Sequence, residues 1–199
     1  MATFNPETAE TRTDDGDLVT EIALLAAVNA FFASTVAEPV IAETERLIDG
    51  ETGQEAYKRR IKRLILIGFL ASTLIGRGGQ DSADDNDLSL IGASLALMFQ
   101  QIDSMISGYT TGTLSPGLLR AQMTTLVGKG VSAFHQGSMI AHRVAGFTME
   151  QRFLKPGSET CPDCLGYAAR GKVPIGTLPA PGVQCRCQGR CNCRKVFTK

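Results

Sequence analysis

Tryptophan is absent from this chain of 199 residues, and aromatic side chains make up only 6% of it. So few large flat side chains leave little to fill a sheet sandwich, and the prevailing Ala, Gly, Leu and Ile favour closely packed helices. Net charge is absent too, 20 Lys and Arg balancing 20 Asp and Glu, so any electrostatic attraction must come from local patches. Leu64 to Ile75 is nearly all apolar and follows the basic run Lys58 to Arg63, but a membrane span needs about 20 apolar residues, so this stretch reads as a buried amphipathic helix. Met1 to Asp17 is polar and acidic, with neither a basic n-region nor an apolar h-region, and we expect no signal peptide, no membrane association and synthesis in a cytosol. No Ser, His and Asp set, Gly-rich phosphate loop or carboxylate pair in a plausible cleft can be assembled, so catalysis is not expected.

Cysteine is the residue whose absence matters most. None occurs before position 161, and then six follow: Cys161-Pro-Asp-Cys164, Cys185-Arg-Cys187 and Cys191-Asn-Cys193. In a reducing compartment such clustering serves metal binding or free thiols more often than structural disulfides. A CxxC turn sets two thiolates in one chelating bite, and a second sulfur pair about twenty residues later completes a zinc tetrahedron. Six cysteines exceed four ligands. One pair is expected from Cys161 and Cys164 and the other from Cys185 and Cys187 or from Cys191 and Cys193, with disulfides or unliganded thiols as the alternative. A dithiol oxidoreductase site fits less well, because only Leu165 to Ala169 remains for a helix before Gly171 and Pro174, and no βαβ pattern surrounds the motif.

The chain ahead of the cysteines patterns as helices. Residues 1–16, with Pro6, Gly16 and a crowd of Thr, Asp and Glu, are expected to form a flexible acidic arm. Asp17 is a candidate N-cap for a helix to about Thr35, Pro39 should kink it or restart it, and Gly50 should end the segment from Glu38 to Ile48. Another helix is expected from about Glu51 to Ile75, stopping at Gly76 to Gly79, and then a polar loop from Gln80 to Asp87. Leu88, Ile91, Leu95, Met98, Ile102, Met105 and Tyr109 recur in steps of three and four, the stripe of a helix packed along a partner. Pro116 fits the start of a long helix to about Ala145, on which Gly130, Ala133, Gly137 and Ala141 invite a close neighbour. His135 and His142 lie on it two turns apart and read as core rather than ligands. Beyond Gly146, Met149 to Lys155 alternates like a short strand, with Lys195 to Phe197 a possible partner. The expected architecture is mainly α: an elongated helical bundle over residues 17–146, and a small β/loop module over 147–199 stapled by cysteines through zinc or disulfides.

The segment AHRVAGFTMEQRFLKPGSETCPDCLGYAARGKV, Ala141 to Val173, resembles the central signature of the Mu F-like head morphogenesis or minor head proteins of tailed bacteriophages. Thr160 to Cys164 is similar to that family's CPxC element, Tyr167 to Val173 to the stretch after it, and Cys185-Arg-Cys187 or Cys191-Asn-Cys193 to its Cys-Arg-Cys ending. The His-Pro-Asn often found before that ending is replaced here by Gly182-Val183-Gln184 or Gly189-Arg190, and the acid of the family's ALDG stretch is missing from Tyr167 to Gly171. The resemblance covers roughly the last sixty residues. It implies a structural virion protein, made in the bacterial host cytoplasm and acting in capsid assembly beside the portal or the major capsid protein; the helices with their small-residue stripe suit self-association, and the basic tip would allow contact with packaged DNA. The alternative is a zinc-stapled nucleic-acid-binding tip. Acids prevail in residues 1–21, whereas from Cys161 onward Arg170, Lys172, Arg186, Arg190, Arg194, Lys195 and Lys199 face a single acid, Asp163, and Arg186, Arg190, Arg194 and Lys195 would contact phosphate.

Overall fold

The computed structural model describes residues 2–5, 10–79, 85–157, 159–182, 184–187, 191 and 193–199, for residues 2–4, 21, 22, 86–88, 90 and 131 without the side chain. Of the polar loop expected at Gln80 to Asp87, residues 80–84 lie outside the described residues, and Asp85 to Asp87 are helical instead.

The first departure from expectation is at the amino end. In place of a flexible arm, β1 (Ala2–Asn5), β2 (Glu10–Thr13) and β3 (Leu18–Val19) form an antiparallel sheet in that order, with Phe4 opposite Thr11 and Arg12 opposite Leu18. Threonine suits strands, and Gly16 closes the second turn at φ 87°, a conformation glycine adopts without strain. The Gly16 N–H donates to the Thr13 carbonyl and the Thr13 N–H to the Asp17 carbonyl, each at 2.9 Å. That turn consumes Asp17. The cap of α1 (Glu21–Phe32) is instead Thr20, whose hydroxyl accepts from the Ala23 N–H at 3.2 Å.

A π-helical turn, Ala33–Ala37, carries α1 into α2 (Glu38–Ile48). Proline has no N–H for a helical bond and its ring crowds the carbonyl four residues back. With Pro39 in the first turn of α2, the Glu38 N–H reaches back five residues to the Ala33 carbonyl, and the helix continues through a bulge. The run Ala23–Ile48 is the one described helix long and apolar enough to cross a membrane, at a mean hydropathy of 1.6. It supplies Val28, Phe32, Val36, Val40 and Leu47 to the buried interior.

Helix α3 (Gln54–Arg77) runs through the bundle and stops at Gly78, left-handed at φ 94°, with the Gly79 N–H donating to the Leu74 carbonyl at 2.8 Å. Helix α4 (Asp85–Thr110) packs its stripe inward: Ile91, Leu95, Met98 and Ile102 are buried, Met105 and Tyr109 partly so, and Leu88 has no described side chain. The long helix expected from Pro116 is in fact two, α5 (Pro116–Gly128) and α6 (Val131–Val144). The break falls where Gly128 and Gly130 offer weak helix propensity, and the Phe32 ring occupies the space a Cβ on Gly130 would need. Turning there lets α5 pack on α2 and α6 on α3. The α3 and α6 backbones nearly touch, because a Cβ on Gly76 would strike the Phe134 carbonyl and one on Gly137 the Thr73 carbonyl.

At the carboxyl end the two expected strands pair, and a short helix and a third strand form in the segment expected to be a loop. Strands β4 (Met149–Phe153), β5 (Val173–Pro174) and β6 (Arg194–Thr198) make an antiparallel sheet in the order β5-β4-β6, with Arg152 opposite Lys195 and Glu150 opposite Phe197. Helix α7 (Pro162–Ala169) lies between β4 and β5 in sequence. The protein is thus mainly helical, with a small sheet and a cysteine cluster at its carboxyl end.

Candidate metal centre

The CPxC element is the start of α7. Cys161 is its N-cap residue, in extended conformation at φ −71° and ψ 155°, and Pro162 takes the first helical position, where its missing N–H costs nothing. The first turn then brings Cys164 back to the same end, fully buried. The other four cysteines arrive from the segment leading into β6.

All six converge. The sulfurs of Cys161, Cys164, Cys185 and Cys187 lie within 4.8 Å of one another, and so do those of Cys164, Cys191 and Cys193. Cys164 Sγ is 3.5 Å from Cys187 Sγ and 3.6 Å from Cys191 Sγ, while Cys187 Sγ is 3.1 Å from Cys161 Sγ and 3.7 Å from Cys185 Sγ. A tetrahedral ion with bonds of about 2.3 Å to sulfur has sulfur–sulfur edges of about 3.8 Å, close to most of these separations. No two of the cysteines are joined in a disulfide. The cluster is therefore close enough to hold a metal ion, and its donors are all of the soft thiolate type.

Two braces tie the loop that carries Cys185 and Cys187 to α7. The Asp163 carboxylate accepts from the Arg186 N–H at 2.8 Å, and the Tyr167 hydroxyl donates to the Gln184 carbonyl at 2.8 Å. Beyond the sulfurs, the local interior consists of Leu154 and Tyr167, both only partly buried. Full burial of an apolar side chain contributes about 2–3 kcal/mol, whereas a structural zinc contributes on the order of 10 kcal/mol, so an ion would dominate the stability of this tip.

The thiols differ in acidity. Burial pushes the Cys161 thiol up, but its bonds from Cys187 and from the Cys164 backbone N–H outweigh this and bring it down to about 6. Burial raises Cys164 and Cys191, and pushes Cys187 up to about 12. Of these four, Cys161 is thus the sulfur that first offers a thiolate.

Among the described residues, Lys195 does not join a phosphate-contacting surface with Arg186 and Arg194. Lys195 is only 2% exposed, and its ammonium donates to Glu150 Oε2 at 2.8 Å and to the Leu178 carbonyl at 2.5 Å. It belongs to the interior, because β6 turns its even face outward and its odd face, Lys195 and Phe197, toward the helices. Arg194 lies 5.9 Å from the Phe153 ring, Arg186 has a side chain 74% exposed, and Arg190 lies outside the described residues. The histidines are core groups. His135 is buried, and His142 places Nδ1 2.7 Å from the Ser138 carbonyl and stacks on Phe197 at 4.3 Å.

Sequence reading overlooked Glu150 and Arg152. Both are 1% exposed on β4; Glu150 also accepts from the Leu178 N–H at 2.6 Å, and Arg152 donates to the Pro179 carbonyl. Alternation along Met149 to Lys155 marks a strand but does not say which of its faces is buried. No family model matches the chain, and no curated protein or solved structure does either.

Proposed function

We propose that this chain is a structural virion protein of a tailed bacteriophage, of the minor head type, acting in capsid assembly without catalysis. In this reading the helical body packs against the portal, the major capsid protein or further copies of itself, and a zinc ion locks the carboxyl-terminal tip. The observation that supports it is the meeting of Cys161, Cys164, Cys185 and Cys187 in one group, within the segment that resembles the Mu F-like proteins. Zinc suits four thiolates in a closed site, with Cys161 and Cys164 supplied by α7 and Cys185 and Cys187 by the braced loop.

Mass spectrometry of purified native particles tests the assignment. The chain should be present at a fixed ratio to the portal protein, and particles made without it should be defective; its absence from intact virions refutes the assignment. The nucleic-acid alternative is weakened by the burial of Lys195, which leaves Arg186 and Arg194 as its described contacts.

A further inference from the structure

The first group of sulfurs is complete without Cys191 and Cys193, yet both point into the cluster, Cys193 with only 5% of its surface exposed. They form a second group of their own with Cys164, again within 4.8 Å, and Cys164 is the only sulfur in both. A thiolate keeps lone pairs after binding one ion and can bridge to another. We infer that the tip holds two thiophilic divalent cations joined through Cys164 Sγ, the first bound by Cys161, Cys164, Cys185 and Cys187 and the second by Cys164, Cys191 and Cys193.

The placement of the sulfurs favours this occupancy. One dication on four thiolates and two on six leave the same residual charge, but a single ion would leave Cys191 and Cys193 as protonated thiols turned into the cluster, whereas two engage every sulfur. The second ion has one position open, because among the described residues no further Cys, His, Asp or Glu joins its group. His135 and His142 are the only histidines in the chain and both are held in the helical body. That open position takes water in the isolated protein. Each ion enters by displacing the remaining thiol protons to solvent, with no change in oxidation state.

The inference rests on the first site proposed above, and its test separates the two. Full-length reduced protein loaded with cadmium-113 should bind two ions per chain and give two resonances split by mutual coupling through the shared sulfur. The double variant Cys191→Ser with Cys193→Ser should keep one, unsplit. A single cadmium per wild-type chain, or two uncoupled resonances, overturns the bridged pair and leaves the first site standing; no bound cadmium overturns both.

Discussion

The ammonium of Lys195 sits 2.8 Å from a carboxylate oxygen of Glu150, with the two side chains 3% and 0% exposed. This pair joins β6 to β4 from within, and it also reaches the loop after β5 through the Leu178 N–H and carbonyl. Removing one partner strands a charge out of water. Glu150→Ala or Lys195→Ala should each cost about 3–5 kcal/mol, and Glu150→Leu combined with Lys195→Met much less than their sum, as read from urea denaturation of the metal-loaded protein. Equal, additive losses would show that the pair is not coupled.

Gly137→Ala and Gly76→Ala should each destabilise the helical body by about 1–3 kcal/mol, although alanine is the better helix former. The added methyl meets a backbone carbonyl on the facing helix and cannot swing away. Helical circular dichroism followed through a thermal melt gives the value, and an unchanged or raised melting temperature would mean that the two helices are not in such close contact.

His135 makes the body acid-sensitive. Burial, and then the charges of Arg152 and Lys195, lower its pKa from 6.5 to about 3. Between these values the unfolded chain binds the proton and the folded chain does not, so stability is full above about pH 6.5 and falls by up to ~1.4 kcal/mol per pH unit as pH drops toward 3. The variant His135→Gln should lose that component of the slope. An identical pH profile in variant and parent would remove His135 as its source.

Much of this was legible in the sequence. The α4 stripe, the Gly50 and Gly78 stops and the pairing of Met149–Phe153 with Arg194–Thr198 follow from periodicity and from residues that tolerate a left-handed backbone. The broken helix at Gly130 was not, because the Phe32 ring that fills the space there comes from a distant part of the chain. The amino-terminal sheet was hidden by composition, since its threonines and acids resemble a disordered arm until Gly16 supplies the turn. At the site, spacing alone placed the cysteines together but left the second pair undecided; only the fold shows that Cys185 with Cys187 and Cys191 with Cys193 both reach Cys164.

The cysteine tip should be separable from the bundle. Cys161→Ser, or removal of metal by a chelator, should speed amide exchange in β4 and β6 by about tenfold or more while α3 and α6 stay protected, because the main core draws on none of the sulfurs. Hydrogen-exchange mass spectrometry reads both regions in one sample, and simultaneous loss of protection in the bundle would contradict the separation.

Metal content measured on protein purified under reducing conditions, with no metal added, bears most directly on the whole account. At least one zinc per chain, released on acidification together with the order of the tip, is the expected result. A tip that is fully ordered and free of any metal would contradict it.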